Sequence, residues 1–157
     1  MTRLPSSVNK LILISLLCIG SFGQASAQVI TQNTPLDFGR FAIVDNGAPR
    51  TLQLLPGGGY TADPQYLFIS PPQLGNFTVT GYGAGVPLTV TVSTTTLNNG
   101  GGANFSTSST FTNPGVIVTD GAGEVTFDIG ATLTSDGGGS THVDGGFSGT
   151  YTITVTP

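Results

Sequence analysis

Apolar residues recur at every second position along most of the chain. Val125, Phe127, Ile129, Ala131 and Leu133 share one parity, as do Phe147, Gly149, Tyr151, Ile153 and Val155, with mostly polar residues, threonine foremost, between them. A period of two puts alternate side chains on opposite faces of a strand, and no stretch shows the spacing of an amphipathic helix. Leu52/Leu54, Phe77/Val79 and Leu88/Val90/Val92 repeat the pattern. Near the front, Leu36 and Phe38 lie on one parity and Phe41 and Ile43 on the other. The switch at Gly39–Arg40 predicts a glycine bulge or a bend in the first strand. "YLFIS" (Tyr66–Ser70) is apolar without alternation, which predicts a strand buried on both faces or running through the centre. Pro71–Pro72 ends it, because neither residue can donate to a ladder.

Turn signals separate these segments. "DNG" at Asp45–Gly47 predicts a hairpin, from which the chain returns through Leu52 and Leu54. "NFTVT" and "PLTVTVS", joined by "GYGAG", predict a second hairpin. The clearest pairs Val116–Thr119 with the long strand 125–133 around a turn at Asp120–Gly123. "FSTSSTFTN" is an edge strand or a loop, and 145–156 supplies the last strand. The sum is an all-β chain of about eight short strands, expected to form an antiparallel β-sandwich, immunoglobulin-like in outline, with a small closed barrel as the alternative.

The N-terminus alters the domain plan. Arg3 and Lys10 precede the apolar run Leu11–Ile19, and "ASA" at Ala25–Ala27 has the form accepted by signal peptidase. The run is far short of the ~20 residues that span a bilayer. Residues 1–27 are therefore expected to be a cleaved signal peptide and 28–157 a single exported domain, in the periplasm, on the cell surface or outside the cell. Cys18, the one cysteine, leaves with the signal peptide, so no disulfide forms.

In the remaining chain two arginines face eight carboxylates, a net charge of −6 without a lysine. That balance repels phosphate backbones and anionic membrane surfaces, so nucleic acid is excluded as a partner.

Four stretches, in order, carry a resemblance: "LDFGRF" (36–41), "NFTVTGYGAGVPLTVTV" (76–92), "IGATLT" (129–134) and "GGFSGTYTITV" (145–155). Together they resemble the bacterial secreted family known as domain of unknown function 4402. The resemblance implies an exported sandwich from a Gram-negative bacterium, and brings no catalytic residues. More loosely the chain is similar to pilin-like and spore-coat-like fibre subunits, which implies association by strand addition with itself or with other surface proteins. It departs from pilins in ending "TVTP" without a penultimate aromatic and in lacking their disulfide. The stretch that could be lent, Gln28–Pro35, offers only Val29 or Ile30 as an apolar side chain. The terminal strand is accordingly expected to close its own sandwich.

Chemistry-bearing residues are few. His142, the only histidine, stands two residues from Asp144 in a glycine-rich loop, away from any serine in a nucleophile elbow. It is expected to be a solvated loop residue. Asp120, Glu124, Asp136 and Asp144 are hard-oxygen donors suited to calcium, but "DGAGE" completes no calcium-loop motif and Asp-Gly is a preferred hairpin turn. Tyr82 reads as a turn aromatic on the end of the sandwich. Asn76 and Asn104 match the glycosylation pattern, incidentally in a bacterial protein. No catalytic, cofactor-binding or metal-binding residue and no cofactor is assigned. The expected function is that of an exported, non-enzymatic structural or cell-surface protein, such as a fibre, coat or matrix subunit. The alternative is a monomeric binding module or adhesin using loops 98–104 and 135–146.

Overall fold

The computed structural model describes residues 27–100, 103–139, 142 and 144–157; all but the last residue of the expected signal peptide lies outside them. Twelve short strands are present among the described residues. They are β1 (Val29–Thr34), β2 (Arg40–Ile43), β3 (Thr51–Leu54), β4 (Tyr60–Ala62), β5 (Tyr66–Ser70) and β6 (Gly75–Thr80), then β7 (Pro87–Val92), β8 (Thr96–Leu97), β9 (Phe105–Asn113), β10 (Ile117–Val118), β11 (Val125–Ser135) and β12 (Ile153–Thr156). Every pairing between them is antiparallel, in a sandwich-like arrangement.

β11 is the spine of the larger sheet. Asp128 and Ile129 pair with both β6 and β9, and Thr132–Thr134 flank β3 on one side while the same stretch runs along β9 on the other. β6 and β3 therefore lie end to end along one edge of β11, with β9 along the opposite edge. β1 lies outside β6, β4 outside β3 and β8 outside β9. The second layer is in two pieces, β10-β7-β12 and β2-β5.

The inward face of β11 feeds two cores. Phe127 and Ile129 pack with Phe77, Val79, Leu88 and Ile117, bordered by Ile153 and Val155. Ala131 and Leu133 pack with Leu52, Leu54, Phe38, Tyr66 and Phe105, bordered by Phe41 and Phe68. Each large apolar side chain taken out of water contributes about 1.5–3 kcal/mol, so this alternating face carries the fold.

Several local expectations are corrected. The stretch 119–124 does turn, with Gly123 N–H donating to the Asp120 carbonyl at 3.1 Å and Asp120 N–H to that of Glu124 at 2.8 Å. The flanking strands nevertheless part, β10 to β7 and β11 to β6, β9 and β3. The "GYGAG" connection likewise links β6 in one layer to β7 in the other, and "DNG" leads from β2 to β3, which share no ladder. All three are arches between layers. The first two clasp each other. Thr119, buried, donates its hydroxyl to Gly83 O at 2.7 Å and accepts Val86 N–H at 2.8 Å. Alternation fixes which face looks inward, and an arch satisfies that as well as a hairpin does.

"FSTSSTFTN" is neither a loop nor only an edge, since β9 lies between β11 and the short β8. "YLFIS" is not central. β5 pairs with β2 alone, and while Tyr66 and Phe68 face the core, Leu67 is 55% and Ile69 70% exposed. The expected break near Gly39 is present as a bend at φ +78°. The β2–β5 register slips beside it, and the extra residue is Ile69 on the partner strand.

Candidate functional site

The two pieces of the second layer do not join. β2 pairs with β5 and leaves its other edge unpaired, and the stretch leading into β12 pairs only with β7 and the chain after it. Between the two edges runs an open groove of about 1240 Å³, with residues of β9 and β11 beneath it.

Local chemistry fixes both walls. On the β2 side, Asp37 and Gln73 exchange backbone hydrogen bonds at 3.2 and 2.8 Å, which pins the chain just before the bend. The Asp37 carboxylate then accepts Gly39 N–H at 2.8 Å, and Ser70 Oγ accepts Arg40 N–H at 3.0 Å, replacing the ladder bond lost in the slip. On the terminal side, Asn98 and Ser148 exchange backbone bonds at 3.0 and 3.1 Å. Ser93 N–H donates to Thr152 O at 3.0 Å, while Ser93 Oγ accepts Thr152 N–H at 2.8 Å. Burial pushes the Tyr151 phenol pKa up, an effect the Leu36 backbone partly opposes.

The groove is graded in polarity. At one end the Phe105 ring meets Phe41 edge-on at 5.6 Å and Phe147 edge-on at 4.9 Å. Toward the other end Thr107 N–H bonds Thr95 O at 2.8 Å and Thr110 Oγ1 donates to Val92 O at 3.3 Å, so hydroxyls take over from rings.

His142 sits at the aromatic end. Contrary to the expected solvated position, its ring stacks on Phe105 at 4.3 Å with an interplanar angle of 18°, and its buried Nε2 has no hydrogen-bond partner. Among the described residues no hydrogen bond ties it to Asp144 or to a serine, so the triad arrangement is not assembled. Asp136 is held below its usual pKa first by the Asn46 amide at 2.7 Å; burial opposes this, and Gly138, His142 and Gly137 add smaller lowering effects.

Most of the other carboxylates are occupied with turns and pairs. Asp120 Oδ1 accepts Ala122 N–H at 2.9 Å and Glu124 N–H at 3.0 Å, and Asp63 Oδ1 accepts Gln65 N–H at 3.0 Å. Asp128 accepts the Asn76 amide at 2.6 Å. Arg50 pairs with Asp45 at 2.7 Å and Asp63 at 3.5 Å. Among the described residues no three His, Cys, Asp or Glu side chains stand together as a metal site would require. Tyr82 lies on the end of the sandwich as expected, its hydroxyl donating to Val155 O at 3.3 Å.

The groove itself was missed by reading the sequence. Its one signal was the inward parity of Phe147, Tyr151, Phe41 and Ile43, four aromatic and branched residues shared between two strands that turn out not to pair.

No curated protein and no solved structure matches the chain. A family model covers nearly all of it beyond the expected signal peptide, and by that match over residues 29–156 the protein belongs to the family described as Domain of unknown function (DUF4402).

Proposed function

We propose that the protein is an exported, non-enzymatic structural subunit of a fibre, coat or matrix, and that it associates with further copies or other surface proteins through strand addition at the open groove. The observation that carries this reading is the groove, where the unpaired edge of β2 faces the stretch that leads into β12 across residues of β9 and β11, with no strand between them among the described residues. Unpaired edges are templates for another chain, and proteins that remain monomeric cover, twist or charge them. The exposed outer face of β5 supports the same reading, because Leu67 and Ile69 stand side by side in solvent at 55% and 70% exposure.

The test is sedimentation of residues 28–157 over a wide concentration range. Reversible growth in mass with concentration is the expected result, and a monomer throughout overturns the reading. A second reading, a binding module, draws on the loop that carries Gly139, His142 and Phe147 along the groove. A saturable response to an added ligand by a protein that stays monomeric selects it.

A further inference from the structure

We infer that the strand entering the groove is β1 of a second copy of this chain. The inference rests on the association reading above and adds the identity of the segment.

β1 is the element with least reason to stay where it is. All six of its residues are exposed, including Val29 at 48% and Ile30 at 43%. It holds to β6 by one ladder and by the Asn33 amide, which donates to Asn76 Oδ1 at 2.7 Å and Thr78 Oγ1 at 2.9 Å. These bonds are made as well with water or with another edge. In the groove β1 meets the open edge of β2 on one side and the stretch leading into β12 on the other, and one of its apolar side chains turns toward the floor.

The chemistry also matches along the strand. β1 reads Val-Ile and then Thr-Gln-Asn-Thr, apolar at one end and polar at the other. The groove runs from Phe41, Phe105 and Phe147 to Thr95, Thr107 and Thr110. The buried, unpartnered His142 Nε2 at the aromatic end offers an arriving backbone a hydrogen bond. Six extended residues reach about 20 Å, more than the four residues of β2 span.

The strand cannot come from the same molecule. Only Pro35 and Leu36 separate β1 from Asp37, which is fixed to Gln73 by two backbone hydrogen bonds. Two residues cannot reverse β1 into a groove whose wall is the strand that follows it. A second copy meets no such restriction. Each copy then gives one strand and receives one, a head-to-tail contact that builds open chains.

Hydrogen exchange on residues 28–157, followed as concentration rises, tests this alongside sedimentation. The expected result is at least tenfold slower exchange in 40–43 and 147–156, together with faster exchange in 75–80, because β6 is uncovered when β1 leaves. The double variant Val29→Asp/Ile30→Asp, at exposed positions, should stay folded and lose both effects. As a second measurement, Ile30→Cys and Ser148→Cys chains, mixed and oxidised, should give the mixed disulfide well above either self-linked product. Association that persists unchanged in the aspartate variant, or growth in mass without protection of 147–156, overturns the β1 assignment and leaves the association reading standing. A monomer at every concentration overturns both.

Discussion

At the scale of single residues, Asp120 and Asp136, two of the carboxylates that suggested a metal in the sequence, act as turn formers. The Asp120 carboxylate stands in for backbone acceptors at the arch into β11, taking the N–H groups of Ala122 and Glu124. Asp120→Ala leaves both to water at an exposed turn and should cost about 1 kcal/mol, or roughly 4 °C in Tm, without altering the fold. Calcium added to the unmodified protein should leave its Tm unchanged, which calorimetry checks in the same series. Gly123 in that arch is held at φ +77°, and a Cβ there would collide with the Tyr82 carbonyl, whereas Gly58, at φ +93°, has open space around it. Gly58→Ala should therefore cost about 1–2 kcal/mol, the left-handed penalty alone, and Gly123→Ala more than about 3 kcal/mol, by equilibrium urea unfolding. Acid acts through two other turns. Asp45 is held below its usual pKa first by the Gly47 N–H, with Arg50 adding to it, and Asp136 by Asn46. A lowered folded-state pKa means the unfolded chain takes up protons first. The stabilisation is complete above the unfolded value near ~4 and is lost as pH falls through the folded one. Tm measured downward from about pH 6 should fall less steeply in Asp45→Asn/Asp136→Asn than in the unmodified protein.

At the scale of elements, the sequence was legible for faces and illegible for sheets. The parities of β6, β7, β11 and the terminal stretch all point inward as read, and the bend at Gly39 stands where the parity switches. The three predicted hairpins failed together, for one physical reason. In a sandwich both layers point their apolar face at the same core, so a strand, a tight turn and a strand satisfy the pattern whether the chain stays in its layer or crosses. β9 was underrated because its serines and threonines hide the burial of Phe105 and Thr107. "YLFIS" was overrated because a run apolar on both faces implies two neighbours, and one chain supplies only one. That excess predicts a difference between the two sides of β5. Phe68→Ala removes a ring packed on Phe41 and Tyr66 and should destabilise by about 3 kcal/mol. Ile69→Thr on the outer side should stay within about 0.5 kcal/mol of the parent in urea unfolding. If the outer face contributes to association, that variant should also assemble more weakly in sedimentation.

At the scale of the molecule, β11 decides whether the two cores act as two units or one. The second layer is split, and its halves cover different ends of the larger sheet, an arrangement that would let each half melt separately if each had its own strands. It does not, because Phe127 and Ile129 serve one core while Ala131 and Leu133, the next inward positions on the same strand, serve the other. β9 runs beside β11 from Asp128 to Ser135 and so straddles the junction. Loss of order at either end exposes backbone bonds shared with the other, and a single transition follows. Val79→Ala in the first core and Leu133→Ala in the second, both wholly buried, should each move the entire unfolding curve, the leucine by about 2–5 kcal/mol and the valine by less. Ring-current shifts of Phe77 and Phe105, one from each core, should disappear at the same urea concentration in all three proteins. Midpoints that separate in either variant would mean that β11 divides the molecule instead of joining it, and the open groove would then belong to one half that loosens on its own.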